Sequence, residues 1–243
     1  MDKYLYLIIE FFSIIIPLIY TFHSRLNFHK NFPSFLLGFL LMFFVFIPWD
    51  IWFTDIGIWG FNERYLSGLF LFGLPIEEYM FFFIIPYACI FTYHVVYTLS
   101  KPTSFNSNII IYVLSGLLLV IGVLYLEKRY TSITFISLSF LLVISKRFVN
   151  MTLFFKTFLF ILIPFIVVNG LLTGSFIEEQ VVWYNDDYNL GIRLGTIPIE
   201  DVFYGMEMLL LVSLFYQSNL RLKSFMRLNK TVAKDAPESG AMM

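Results

Sequence analysis

The chain has 243 residues, of which 59% are hydrophobic and only 14% charged, with a formal net charge of −1. Soluble domains are about a quarter charged, and no water-soluble fold of this length hides so much apolar surface, 31 phenylalanines included. The composition excludes a soluble domain and points to a polytopic membrane protein; the lipid bilayer is its expected partner and nucleic acid is not.

Apolar runs of roughly 20 residues can cross about 30 Å of hydrocarbon, and seven runs approach that length. In chain order they cover Tyr4–Phe22, Pro33–Thr54, Leu74–Leu99, Ile109–Leu126, Ile133–Ile144, Leu153–Gly174 and Ile197–Tyr216, the fifth being the shortest. None alternates in polarity as a barrel strand would. The expected fold is therefore all-α, a polytopic membrane helical bundle of about seven transmembrane helices. The first run lacks a small-residue cleavage site and reads as a span rather than a signal peptide.

If all seven cross, one side carries five basic residues: Lys3, Arg64, Lys128, Arg129 and Arg193. The other carries eleven, among them Lys146, Arg147 and Lys156. That asymmetry predicts an integral membrane protein, as in a bacterial inner (cell) membrane, with its N-terminus outside and its C-terminus cytoplasmic. The only cysteine, Cys89, lies within a span, which leaves no thiolate metal site. No Gly-rich nucleotide or phosphate loop is present, so neither a cofactor nor a metal is expected. Residues from Lys234 onward read as a disordered tail.

The stretch "FNERYLSGLFLFGLPIEEYMF" (Phe61–Phe81) lies without gaps on "YNDDYNLGIRLGTIPIEDVFY" (Tyr184–Tyr204) after a shift of 123 residues, with seven of 21 pairs identical. Such self-similarity marks repeated structural units. With a small gap, Asp50 also falls opposite Asn169. The matched helices, the second and third spans and the sixth and seventh, stand an even number of spans apart. Two parallel helix-loop-helix repeats about an axis along the membrane normal are expected, with the fourth span as reversing connector. The divisions are 1–100 (first repeat, three spans), 101–130 (connector), 131–217 (second repeat, three spans) and 218–243 (basic, partly disordered cytoplasmic tail).

Each repeat opens a span with an acid pair, Glu77 and Glu78 in one and Glu200 and Asp201 in the other. Proline followed by glutamate is also an ordinary helix start, and carboxylates there favour the dipole. Two tandem copies weaken that reading. Ionisable groups in spans are costly and usually mark function. Glu207, two turns beyond Glu200, and Asp50, near the end of the second span, join the catalytic candidates. Glu10 is mid-span and needs interior partners, whereas His94 reads as interfacial. Aromatic residues follow the acids closely: Tyr79, Phe81 and Phe82 in one copy, Phe203 and Tyr204 in the other. Aromatic faces stabilise a developing cation. A desolvated acid beside them suits protonation of an alkene in a lipid-soluble substrate, so these rings are candidate substrate contacts. Asn62 and Asn185, which read as pins of the two loops, are assigned with them.

The segments "WDIWFTDIGIWGFNERY", "LPIEEYMFFFIIPYACIFTY" and "NLGIRLGTIPIEDVFYGMEMLLL" resemble the integral-membrane lycopene cyclase family in its fused form, over nearly all of the chain to about Tyr216. The resemblance implies a lycopene beta-cyclase, a redox-neutral isomerase converting the linear ψ ends of lycopene to β-ionone rings, through γ-carotene to β-carotene. It implies that the motif acids Glu77, Glu78, Glu200 and Asp201 carry the chemistry, with Glu207 and Asp50 secondary and no flavin. The implied partner is lipid-soluble lycopene; association with other carotenoid biosynthetic enzymes fits the same reading. Two rivals stand beside it. A UbiA-type membrane prenyltransferase would need aspartate-rich motifs for Mg²⁺, of which Asp50, Asp55, Asp186 and Asp187 form a thin version. A proton-coupled transporter would use the acids as a relay.

Overall fold

The structure is a computed structural model that describes residues 2–100 and 106–235, with side chains described as far as Ser218. Its helices are α1 (Leu5–Tyr20), α2 (Phe32–Asp55), α3 (Ile76–Leu99), α4 (Asn108–Leu124), α5 (Arg129–Ser145), α6 (Met151–Leu172) and α7 (Ile199–Asp235). The chain is all-α apart from short loop strands, and every expected apolar run falls on one helix. The fifth is longer than its apolar run. It begins at Arg129 because the polar Tyr130 and Thr131 are buried against α7 and hydrogen-bonded there. The last helix does not stop at Tyr216 but continues to Asp235, since neither glycine nor proline intervenes between Gly205 and Pro237. The last eight positions of the expected tail lie outside the described residues.

The α2–α3 and α6–α7 loops contain short strands that apolar patterning did not reveal: β1 (Trp59–Phe61), β2 (Phe70–Leu71), β3 (Leu74–Pro75), β4 (Val182–Tyr184), β5 (Arg193–Leu194) and β6 (Ile197–Pro198). β1 pairs antiparallel with β4, with Trp59 opposite Tyr184, Gly60 opposite Trp183 and Phe61 opposite Val182. Gly60 and Trp183 are themselves 123 residues apart. Just beyond the strands, Asn62 N–H donates to the Val181 carbonyl (2.8 Å) and Asn185 N–H to that of Ile58 (2.9 Å). The two bonds exchange under the same shift, so the loops clasp one another reciprocally. Only glycine fits the centre of the clasp, because a Cβ at position 60 would lie 2.3 Å from the Trp183 ring.

Further contacts gather on this end of the bundle. Arg64 pairs with Asp2 (2.9 Å) and Glu178 (2.7 Å). Lys128 Nζ donates to the Asp186 carbonyl at 2.8 Å. The N-terminus and the loops before α3, α5 and α7 thus share one end. α4 and α5, each 17 residues, span about 25 Å at 1.5 Å per residue.

Packing crosses between the halves: α2 lies against α7 and α3 against α6, while α1 flanks α3, α5 flanks α7 and α4 leans on α5. The α2–α7 contact is close. A Cβ on Gly38 would sit 2.6 Å from the Val212 carbonyl oxygen, as small residues permit where helix backbones meet. Gly38→Leu is expected to cost about 1–3 kcal/mol through overpacking, read as a lower melting temperature in detergent with β-branched changes at exposed Val45 as the neutral control.

Outward faces carry large apolar side chains, including Phe12, Phe44, Ile109, Leu124, Leu159 and Ile163, each more than 60% exposed. That exceeds what a soluble monomer tolerates. Among the described residues, Asp2–Tyr20, Phe28–Asp55, Ile76–Leu99 and Met151–Leu172 are long and apolar enough to cross a membrane, which is compatible with a membrane protein.

Candidate active site

Pro75 and Pro198 precede the first turns of α3 and α7, and the acid pair follows in each. Adjacent helical residues point about 100° apart, so the two acids of a pair part company. Glu77 turns back to the loop and accepts the Ser67 N–H at 2.6 Å. Glu200 accepts the Leu190 N–H at 2.8 Å and the Thr131 hydroxyl at 2.5 Å. Ser67 and Leu190 are again 123 apart. Both glutamates are fully buried and fasten the hairpin ahead of their helix.

The second acid of each pair faces inward. Glu78 and Asp201 line a cavity of about 170 Å³ together with Asp50. The Tyr6 hydroxyl donates to Glu78 (2.6 Å). Asp201 accepts two phenols, Tyr130 (2.6 Å) and Tyr184 (2.9 Å). Asp50 Oδ1 accepts the Trp59 indole N–H (2.6 Å), while its Oδ2 is buried with no partner among the described residues. The rings that bind these acids also pack together. Trp59 lies edge-on to Tyr130 (5.1 Å) and Tyr184 (6.0 Å), and Tyr204 contacts both Trp59 (5.8 Å) and Tyr130 (6.1 Å). Burial pushes the Tyr184 phenol well above its usual range, with the Asp201 carboxylate adding to the shift, so the ring donates without ionising.

Among the other sequence candidates, Phe81 and Tyr204 line the cavity, and Tyr79, Phe82 and Phe203 do not. Phe203 packs on Phe135 (4.9 Å), Phe82 faces Phe46 (6.3 Å), and the Tyr79 hydroxyl binds the Leu71 carbonyl (2.8 Å). Asn62 caps the turn at Arg64 and donates to Glu179, while Asn185 accepts the Asp187 N–H; both stay in the loops. Glu207 is bonded to Ser137 (3.0 Å) between α5 and α7, away from the cavity. Glu10 is buried on α1 with neither carboxyl oxygen partnered among the described residues. His94, expected at an interface, is buried and bridges Leu26 O and the Tyr216 hydroxyl, each at 2.8 Å.

Tyr6, Trp59, Tyr130 and Tyr184 were not singled out in the sequence. A signal existed for two of them, since a shift of 124 residues lays Tyr6 on Tyr130 and the opening of α1 on that of α5.

The same shift recurs when the chain is compared with known families. The family model described as lycopene cyclase matches residues 3–96 and 127–218, well over half of the chain, in two segments that begin 124 residues apart. The chain belongs to the lycopene cyclase family. Comparison with curated proteins and with solved structures returned no match. As a lycopene cyclase the chain is an enzyme of carotenoid biosynthesis with a lipid-soluble carotenoid substrate. The unmatched stretch between the segments holds α4, which in this lycopene cyclase contacts α5 outside the acid-lined cavity.

Proposed function

We propose that the protein is a lycopene beta-cyclase, an isomerase that spans the membrane as a bundle of two parallel repeats with α4 as connector. The N-terminus and the cavity's acid end lie outside, and the C-terminus is cytoplasmic. The observation that carries the reading is the convergence of Asp50, Glu78 and Asp201, each hydrogen-bonded to an aromatic N–H or O–H, at one end of an apolar crevice. A cavity of 170 Å³ is smaller than the roughly 300–1,000 Å³ of sites that engulf a ligand. It suits one end group of a long molecule.

The reaction needs one proton delivered to C2 of the ψ end and one removed from C6. Asp50 Oδ2, unpartnered and buried, is where a transferable proton would sit, because an ionised oxygen left bare in an apolar site is costly. Protonation at C2 leaves a cation at C1. The C5=C6 alkene closes the C1–C6 bond, and loss of the C6 proton regenerates a C5=C6 double bond. Asp201, with two phenolic donors to hold negative charge, is assigned as acceptor, and Glu78 completes the proton-bearing wall between them. Trp59, Tyr130 and Tyr204 line the cavity, and aromatic rings beside the reacting end stabilise a passing cation. Protons balance and nothing is oxidised, so no cofactor is called on. The prenyltransferase reading loses its support, since Asp50 lines the cavity while Asp186 pairs with Arg193 (2.5 Å) on the exposed loop. Expression in bacteria that accumulate lycopene tests the proposal: monocyclic and bicyclic β-ring products are expected by chromatography, and lycopene left linear beside well-expressed protein would refute it.

A further inference from the structure

The cavity is elongated. Its α3 wall runs from Glu78 to Thr92 and its α6 wall from Phe158 to Leu172, each about 20 Å at 1.5 Å per residue. A volume of 170 Å³ over that length leaves a bore of single-chain width. Polar groups crowd at the acid end. Farther along, the hydroxyls of Ser13 and Thr92 are turned onto their own helices, bonded to Ile9 O (2.8 Å) and Ala88 O (2.9 Å), so the wall they present is apolar. Ile85, Ala88, Cys89 and Phe165 line the cavity and keep partial exposure, so the space between α3 and α6 is left unfilled by their side chains.

The repeat would place an equivalent crevice between α2 and α7, and there the packing is closed. The residues that differ decide it. Ala88 and Cys89 on the open side correspond, 123 residues on, to Leu211 and Val212; Gly205 corresponds, 123 residues back, to Phe82. Small residues stand at all three open positions and large ones at all three closed positions. Phe82 and Val212 are buried, and Gly38 presses on the Val212 backbone.

We propose that the α3–α6 crevice is a tail slot, which holds one linear apolar polyene lengthwise with its end group at the acids. Its counterpart is plugged, so each chain takes one end of one carotenoid at a time. The ligand's identity as lycopene rests on the cyclase reading; the slot itself rests on the asymmetry above.

The test is carotenoid loading of the full chain, purified in mild detergent from lycopene-accumulating cells and measured by visible absorption per chain, in an Asp201→Asn background so that product formation does not intrude. About one carotenoid per chain is expected. Ala88→Leu combined with Cys89→Val, which installs the closed side's residues, should reduce loading at least tenfold. Gly205→Ala adds a methyl whose nearest neighbour is Phe165 at 3.6 Å, ordinary contact that the fold accommodates, and should reduce loading by about tenfold or more, as one methylene does in an apolar pocket. Wild-type loading in both variants with unchanged melting temperature overturns the slot, as does a stoichiometry of two, or retention of phospholipid that lycopene does not displace. Ring formation by the unsubstituted chain is scored separately. Cyclisation with loading indifferent to these variants sinks the slot and leaves the cyclase; slot-dependent loading without ring formation sinks the cyclase and leaves the slot.

Discussion

Asp50→Asn, Glu78→Gln and Asp201→Asn are each expected to cut ring formation by about a hundredfold or more, the scale of a lost general acid or base. The amides preserve shape and keep an acceptor for Trp59 at position 50 and for Tyr6 at position 78, whereas Asn at 201 keeps an acceptor for only one of Tyr130 and Tyr184, so an unchanged melting temperature is required before the loss is read as proton transfer. Glu207→Gln, at the α5–α7 contact with Ser137, should lose far less. Product chromatography in lycopene-accumulating cells, normalised to membrane-inserted protein, reads all four. Equal losses at Glu207 and Asp201 would contradict a mechanism centred on the cavity, and full activity in Asp201→Asn would remove the acceptor assigned here.

Glu77→Ala and Glu200→Ala should instead lower stability. Each strips the acceptor from a backbone N–H, Ser67 in one case and Leu190 in the other, and a buried donor left bare costs about 1–3 kcal/mol. A melting temperature lower by several degrees is expected for each. Glu→Gln at the same positions should recover most of the loss, because the amide oxygen still accepts. A chain with Glu77→Gln that keeps its melting temperature but forms no rings would show that this acid takes part in the chemistry as well. The two acids of a Pro-x-Glu-(Glu/Asp) motif therefore separate by assay, stability for the first and turnover for the second.

The division within the motif follows from helix geometry acting on a loop that the linear sequence does not display. Glu77 and Glu78 are equivalent as neighbours in a string. They become different once the hairpin of β2 and β3 folds back over the start of α3 and presents the Ser67 N–H to one of them. The same holds for Asp50, near the end of an apolar run: proximity to the Trp59 indole makes it part of the site, and that proximity depends on β1 pairing with a strand more than 120 residues away. Glu207 shows the reverse case. Two turns of helix align it with Glu200, but Glu200 faces the loop, so sharing its face leads away from the cavity.

Sequence alone determined the all-α class, the seven helical runs, the internal match at a shift of 123 and the acid pairs that recur with it. These are properties of composition and spacing, and they survive any arrangement of the helices. Tertiary structure decided which acid of each pair faces the cavity, which tyrosines and tryptophan hold it, and which of two equivalent crevices stays open. The physical reason is that a helix in an apolar surrounding is hydrophobic all round, so its periodicity does not tell the lipid face from the bundle face. Small residues such as Ala88, Cys89 and Gly205 acquire meaning only against the larger Leu211, Val212 and Phe82 that fill the matching positions across the bundle.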